Sequence, residues 1–516
     1  MPGSPVDRST AQHLTRDLTA TAKAPVVVIA PFTGETLHEL PQSTLADVEV
    51  AAEAAREAQQ AWWAAGFAHR RTVLLRAHDL LLDRREELLD AVQTETGKTR
   101  GQAFEEVFQA VGATRYAALS ARKVLSPQRR RGGIPIVIGT RVRYEPKGLV
   151  GVITPWNYPL ALSVMDVAPA LASGNGVVQK ADDQGALTIL AARRAFLDAG
   201  VPAALWGVVC GPGAEIGNAV VDAADYVCFT GSTATGKVVA ERASRRLIGV
   251  SLELGGKNPM IVLDDVNPAK AAADAAYGCF SAAGQLCVSM ERVYVEKGVA
   301  DAFTAAFAER TRSLKLGTAF DYSTDSGSLT TKAQLERVTA HIDDAVKKGA
   351  TILAGGNPRP EIGPYFVEPT VLTNVTSEMS CHRDETFGAL VAVQVVENAE
   401  EAVALANDSA YGLNASVLSG SKRRGLSVAR HIDAGSVNVN EGYRGSFSSV
   451  DAPMGGVKLS GLGRRNGPEG LLRFMEAHTI SHATGVLQLP RTGAEWRRLV
   501  GPMLLLLRTL KTLRRR

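Results

Sequence analysis

The sequence predicts an α/β protein made of two successive parallel-sheet series, with a β-hairpin projecting ahead of the first. Three observations predict this. Short apolar runs alternate with segments of helical period between residues 149 and 265, and a second alternation runs from about Lys257 to Met454. Just before the first series, two short extended runs flank Gly139-Thr140.

In the first series Leu149–Thr154, Gly176–Gln179, Leu205–Val209, Tyr226–Phe229 and Met260–Leu263 read as buried strands. Leu160–Ser173, Ala186–Ala199 and Thr235–Arg245 read as the helices between them. Gly174 and Gly200 follow two of these helices, where a C-cap wants a residue at positive φ. Strands alternating with helices imply right-handed crossovers and a sheet covered on both faces. In the second series Ala300–Leu314, Lys332–Lys348 and Ala399–Ala406 read as helices, and Arg292–Val295 and Ser436–Asn440 as strands. Ile134–Ile138 and Arg141–Tyr144 read as a hairpin turning at Gly139-Thr140. Its free edge is expected to find a partner, most simply another subunit.

At 516 residues the chain exceeds what one core supports, so several domains are expected. Five cysteines at irregular spacing form neither a disulfide framework nor a metal pattern, and the nine histidines are scattered. This points to a reducing compartment in which a thiol is free to react, and to no structural metal. No signal-peptide pattern and no membrane-length apolar run stands in the sequence, so a cytoplasmic location is expected. The net charge of +4 hides an asymmetry: residues 491–516 carry +7 and the rest −3. The globular part therefore has no general attraction for nucleic acid.

Four stretches carry residue types that packing alone does not ask for. Gly151-Val-Ile-Thr-Pro-Trp-Asn-Tyr-Pro159 runs from a strand into a turn and presents Asn157 at a strand's carboxyl end, where α/β sheets bind ligands. An isolated Asn there is ordinarily a turn residue. Leu252-Glu-Leu-Gly-Gly-Lys-Asn-Pro259 puts Glu253 in an otherwise apolar strand, which suits a general base at a cleft but also fits an outward-facing side chain. Gly284-Gln-Leu-Cys287 sets a thiol after a flexible turn, whereas Cys210, Cys228, Cys279 and Cys381 read as inert core. Glu385-Thr-Phe-Gly388 is followed by a glycine-rich Pro453–Gly463.

In order and spacing these stretches resemble the aldehyde dehydrogenase superfamily over roughly residues 25–485, closest to a bacterial succinate-semialdehyde dehydrogenase subgroup. The resemblance implies a Rossmann-like dinucleotide-binding domain (25–127 and 147–256) and an α/β catalytic domain (257–470). It also implies a β-hairpin oligomerisation arm (128–146 with 471–490); residues 1–24 are an N-terminal extension. It implies Cys287 as nucleophile, Asn157 in the oxyanion hole and Glu253 as the base for thioester hydrolysis. The implied cofactor is NAD or NADP, held by Thr154, Trp156, Lys180, Asp183, Gly213, Gly231, Ser232, Glu385 and Phe387. The implied assembly is a homo-oligomer, dimer or tetramer.

Two departures from the subgroup bear on specificity. Asp183 stands where the ribose 2′ substituent is read; a carboxylate there favours NAD, while the subgroup resemblance favours NADP. Where succinate-semialdehyde enzymes carry arginines this sequence has Met165 and Ser281. Tyr158, Leu162, Met165 and Phe447 make an apolar pocket, with Arg444 the nearest anchor for a substrate carboxylate. Succinate semialdehyde is the expected substrate, with apolar medium-chain or aromatic aldehydes the alternative.

A rival reading takes Gly231-Ser-Thr-Ala-Thr-Gly-Lys237 as the phosphate loop of an NTPase. It fails at Val238, where the magnesium-binding Ser or Thr should stand. A third, a catalytically dead member acting as a structural partner, conflicts with the intact Cys, Asn and Glu set. The basic tail, 491–516, reads as an amphipathic helix that meets an anionic membrane surface or packs on the oligomer, with a break expected at Gly501-Pro502.

Overall fold

The structure, a computed structural model, describes residues 6, 8–131, 137–486 and 488–514. Its centre is a six-stranded sheet whose strands lie in the order Gly461–Leu462, Gly249–Glu253, Tyr226–Thr230, Leu149–Ile153, Gly176–Lys180, Trp206–Val209. All neighbours are parallel except the short Gly461–Leu462, which runs antiparallel to Gly249–Glu253. The chain lays down Leu149–Ile153 first, moves outward through two strands, then returns to its other side. The strand order therefore reverses between Leu149–Ile153 and Tyr226–Thr230, the crevice where doubly wound sheets bind ligands.

The five-residue strand Leu149–Ile153 is buried along nearly its whole length because helices cover both faces of the sheet. Pro159–Ala172, with Pro159 at its first turn, and Ala186–Ala199 pack there. The helix Pro159–Ala172 owes its position to a buried acid: Glu106 accepts from the N–H groups of Leu160 (2.9 Å) and Ala161 (3.1 Å) and is ion-paired with Lys98. Gly174 (φ 87°) and Gly200 (φ 114°) close the two helices in the left-handed region, as expected.

A seven-stranded sheet holds the second series, in the order Thr351–Ala354, Thr370–Thr373, Leu390–Val396, Met290–Glu296, Asn258–Val262, Asn414–Leu418, Ser436–Val439. The expected strand Met260–Leu263 thus exists, as Asn258–Val262, but belongs to this sheet and not to the first. The place it was given in the first sheet is taken by Gly249–Glu253. Both runs are apolar, and apolarity does not say to which sheet a strand belongs; Gly255-Gly256 lets the chain cross between them.

The hairpin also differs from expectation. Gln128–Arg131 pairs antiparallel with Ile138–Pro146, so Gly139-Thr140 lies inside a strand and is not the turn. The expected strand Ile134–Ile138 falls mostly outside the described residues. Gly139 faces His482 across the pairing with Met475–Ala483, and a Cβ on it would stand 2.5 Å from the His482 ring. Here the glycine makes room for a neighbour. The result is a three-stranded arm whose strand Met475–Ala483 is exposed along almost all its length.

One buried charge cluster ties distant parts of the chain. Asp166, inside the apolar helix Pro159–Ala172, accepts from Arg465 Nε (2.9 Å) and Nη2 (2.7 Å) and from Arg473 Nη2 (2.6 Å). Burial pushes the Asp166 carboxyl up, but the two guanidinium groups more than offset it and hold it below the ordinary value. Removing one member of such a set strands the others in the interior. Asp166→Ala is expected to lose about 3–5 kcal/mol of stability, seen as a lowered urea midpoint, with Asp166→Asn intermediate. Unchanged midpoints would mean that the arginines find water.

Candidate active site

The expected dinucleotide residues gather at the carboxyl ends of the parallel strands. Thr154 and Trp156 follow Leu149–Ile153, Lys180 ends Gly176–Lys180, and Asp183 opens the next helical turn. Gly213 begins the turn after Trp206–Val209, and Gly231-Ser232 follows Tyr226–Thr230. Ser232 caps the helix Thr233–Arg245, its hydroxyl accepting from Thr235 N–H. Because that helix opens at Thr233, five of the seven residues Gly231–Lys237 are helical. They cannot wrap a phosphate as an NTPase loop does, which disposes of that reading on geometry. Thr154 is turned inward, its hydroxyl accepting from Gln179 Nε2 at 3.0 Å. Asp183 Oδ1 is buried and has no hydrogen-bond partner.

The expected catalytic residues converge on one cavity of about 190 Å³. Asn157, Glu253 and Cys287 line it together with Trp156, Gly231, Ser232, Glu385 and Phe387, so residues from both sheets face each other there. Asn157 Nδ2 donates one N–H to the Gln285 carbonyl (3.0 Å), which holds its amide beside the nucleophile's turn and leaves the second N–H to the cavity.

That turn is strained. Ala282 (φ 51°), Ala283 (φ 52°) and Gly284 (φ 73°) are all left-handed, which costs energy for the two alanines. A Cβ on Gly284 would stand 2.1 Å from the Gly388 carbonyl, so the Glu385–Gly388 loop lies directly on the Cys287 turn. Asn258 Nδ2 donates to the carbonyls of Cys287 and Ser289, each at 2.7 Å, pinning the turn from below.

Cys287 is half-buried, and the other four cysteines are buried. Burial, reinforced by the nearby Glu253 and Glu385 carboxylates, pushes the Cys287 thiol up to about 12. Glu253 lies on its strand with 4 % of its surface exposed and Oε1 unpartnered. Burial pushes it up to about 7 against the pull of Arg465 and Arg473. Glu385 is raised to about 7 by burial and by Glu291, while the Gly256 N–H (2.7 Å) works against the rise. Phe387 is left-handed (φ 54°) and meets Trp156 edge to face, with centroids 5.7 Å apart.

Beside Cys287 the side chains of Tyr158, Leu162, Met165, Tyr443 and Phe447 form an apolar cluster. Arg444 lies at its margin, its guanidinium 4.0 Å from the Tyr277 ring and paired with Glu441 at 2.9 Å. The Ser281 hydroxyl closes the preceding helix on the Tyr277 carbonyl (2.8 Å) and bonds the Tyr443 hydroxyl of this cluster, and Ser281 also lines a cleft with Gln102 and Arg310. Sequence reasoning missed Glu105, which accepts from the hydroxyls of Tyr277 and of Tyr443 (2.7 Å) beside the pocket. It missed Asn258 and the buried Lys257–Glu291 pair as well, although all three stood in or next to the quoted stretches.

A doubly wound sheet with strand-end glycines, joined to a thiol, a carboxamide and a near-neutral carboxylate in one cavity, suits covalent chemistry on a thiol beside a dinucleotide site. The pattern of the aldehyde dehydrogenase family matches residues 18–480, and the chain belongs to that family. It is 48% identical over 492 residues (95% of each chain) to a Mycolicibacterium smegmatis protein named "Putative succinate-semialdehyde dehydrogenase [NADP(+)]". It is 36% identical over 455 residues (87% of this chain, 85% of the other) to the Oryza sativa subsp. japonica protein named "Succinate-semialdehyde dehydrogenase, mitochondrial". Among solved structures, an aldehyde dehydrogenase variant from Bacillus cereus aligns with TM-score 0.86 and 34% identity, over 90% of this chain and 94% of that one. Betaine aldehyde dehydrogenase from Staphylococcus aureus, in complex with NAD+, aligns with TM-score 0.86 and 31% identity, over 93% and 97%.

A base that ionises near 7 gives a rate that rises with pH through that value, since only the carboxylate form accepts a proton. Steady-state aldehyde oxidation should therefore climb through about pH 7 and level off above it. Glu253→Gln should keep a first-turnover burst of reduced cofactor, lose steady-state rate by about 10²–10⁴-fold and lose that limb of the profile. Unchanged turnover in the variant would remove Glu253 from the chemistry.

Proposed function

We propose that this NAD(P)-dependent aldehyde dehydrogenase oxidises succinate semialdehyde to succinate through a thioester on Cys287. The observation that carries the mechanism is the convergence of Cys287, Asn157 and Glu253 on one cavity, reached from the strand-end crevice. The substrate reading is supported by the names of the relatives aligned over most of their length.

The residues at the strand ends fit a nicotinamide dinucleotide. Asp183 offers a buried acceptor with nothing to accept from, Lys180 stands at the adjacent strand end, and Ser232 opens a helix whose N–H groups suit a pyrophosphate. When bound, the oxidised dinucleotide supplies the acceptor for the C–H electron pair and a positive ring charge beside the thiol. The half-buried Cys287 releases its proton to solvent and attacks the aldehyde carbon as a thiolate, so that Glu253 keeps its carboxylate for the later step. Asn157 Nδ2 and the Cys287 N–H hold the charge that develops on the oxygen. Oxidation leaves a thioester. Glu253 then takes a proton from the water that hydrolyses it, and the acid is released.

A second reading, oxidation of apolar medium-chain or aromatic aldehydes, is favoured by the pocket itself. Its walls are aromatic and aliphatic, the half-buried Glu105 carboxylate lies at its side, and Arg444 is already engaged by Glu441. A carboxylate tail in such a pocket needs a cation, because an unpaired charge there is costly. The arm supports a homo-oligomer, since its exposed strand Met475–Ala483 offers a surface to a neighbouring subunit.

The cofactor reading is NAD. Asp182 and Asp183 follow the end of Gly176–Lys180, beside Lys180. A 2′-phosphate brought there meets like charge, whereas a 2′-hydroxyl donates to Asp183. The NADP(+) in the relatives' names points the other way.

The two specificity questions have separate tests. kcat/KM for succinate semialdehyde should exceed that for hexanal, and Arg444→Ala should lower only the former, by about tenfold or more, with Arg444→Lys retaining most of it. A higher value for hexanal, or equal losses for both, would favour the apolar reading. NAD should be preferred, and Asp183→Ser should raise the NADP-to-NAD ratio of kcat/KM by about tenfold or more. A wild-type ratio above one that the substitution leaves unmoved would remove Asp183 from cofactor choice.

A further inference from the structure

The chain's last described element is a helix, Gly493–Thr512, with a capping box at its start: Thr492 caps it and Glu495 reaches back. It holds no buried residue, and it is not apolar enough to cross a membrane. Unlike every longer helix of the fold, it has no side against the core. Its sequence is nevertheless two-sided. Trp496, Val500, Met503, Leu506, Leu507 and Leu510 recur at spacings of three and four, which puts them on one stripe. Trp496 is 47% exposed and Leu507 53%, Met503 and Leu510 are half-buried, and no residue of the stripe is buried.

Charge complementarity says what covers it. Arg497, Arg508 and Lys511 flank one side of the stripe and Arg498 the other, and residues 491–516 carry +7 against −3 for the rest of the chain. A second copy of the helix would bring like charge to like charge. An anionic lipid surface offers negative headgroups to the flanks and an apolar layer to the stripe, and Trp suits the boundary between them.

Pro502 agrees with this orientation. The expected break at Gly501-Pro502 is absent, and the helix runs through the proline. Proline has no N–H for the Arg498 carbonyl, which therefore needs another donor. Arg498 lies roughly 130° around the helix from the middle of the stripe, so that carbonyl faces water when the stripe is buried.

We propose that Gly493–Thr512 is a peripheral membrane anchor that lies in the plane of an anionic bilayer surface and holds the enzyme there. The proposal is independent of which aldehyde or cofactor the site takes. It is tested by cosedimentation with vesicles, using the full chain, a chain ending at residue 490, and the full chain with Leu506→Glu and Leu507→Glu. Aldehyde oxidation by each form serves as the control for folding. The full chain should bind vesicles of phosphatidylcholine with phosphatidylglycerol at least about tenfold more than either altered form, and pure phosphatidylcholine weakly. Salt at about 0.5 M should weaken binding to the anionic vesicles. Equal binding by all three forms overturns the proposal, as does absence of binding by the full chain. Loss of subunit association in the shortened chain, without loss of vesicle binding, overturns it in favour of packing on the oligomer. If the shortened chain fails to fold, the double substitution alone decides the matter.

Discussion

The carboxylate of Glu291 is the point on which the catalytic geometry hangs. It pairs with Lys257, next to the strand that carries Glu253, and accepts from the N–H groups of Thr386 and Phe387 at 2.9 Å each. Its neighbour Arg292 reaches back to the Lys257 carbonyl at 2.9 Å. Three segments far apart in sequence, those of Glu253, Cys287 and Glu385, are thereby referred to one buried ion pair. Such a pair adds little net stability, because desolvation offsets much of the attraction. What it supplies is register: the loop over the cavity cannot shift without stranding a charge. The left-handed Phe387 and the left-handed Ala282 and Ala283 persist for the same reason, since the surrounding bonds over-determine them.

That rigidity is matched by an unusual proton inventory. Two carboxyls near 7 and a thiol near 12 share one small cavity, and burial is the first cause in all three. A thiol so high is inert alone. Burial and two carboxylates favour its protonated form, and a positive charge brought beside it would favour the thiolate. The Asp166, Arg465 and Arg473 cluster belongs to the same balance: both arginines draw Glu253 down, and without them burial would carry it further from the value a base needs at neutral pH. Here a structural network and a catalytic one share members.

How much of this the sequence disclosed follows from the kind of signal each part leaves. Strand and helix alternation was legible because buried parallel strands and their covering helices have distinct periods. The site stretches were legible because Asn157, Glu253 and Cys287 stand where packing alone would put something else. Sheet membership was not legible: Gly249–Glu253 and Asn258–Val262 are both short runs with apolar residues and only four residues lie between them, yet they join different sheets. Nor was the hairpin turn, because Gly139 serves His482 across the arm, a partner more than three hundred residues away. Arg465 pairs with Asp166 across 299 residues, a separation that no local pattern records. The tail helix runs through its proline, as the buried helix Pro159–Ala172 runs through Pro169, and in the tail water can meet the freed carbonyl.

The division between the fixed and the variable parts of the site has a physical reason. Cys287, Asn157, Glu253 and Glu385 are held by backbone carbonyls, backbone N–H groups and buried charges, so each depends on many neighbours at once. The pocket tail is held differently. Tyr277 and Tyr443 stack at 6.1 Å and share one acceptor in Glu105, while Arg444 rests on the outer ring and pairs with a partner three residues away. A site built this way changes its aldehyde by altering its rim and keeps its chemistry by leaving its floor alone. For that reason the reaction is readable from a few motif residues, while Glu105 and Arg444 at the pocket's edge stand in no such motif.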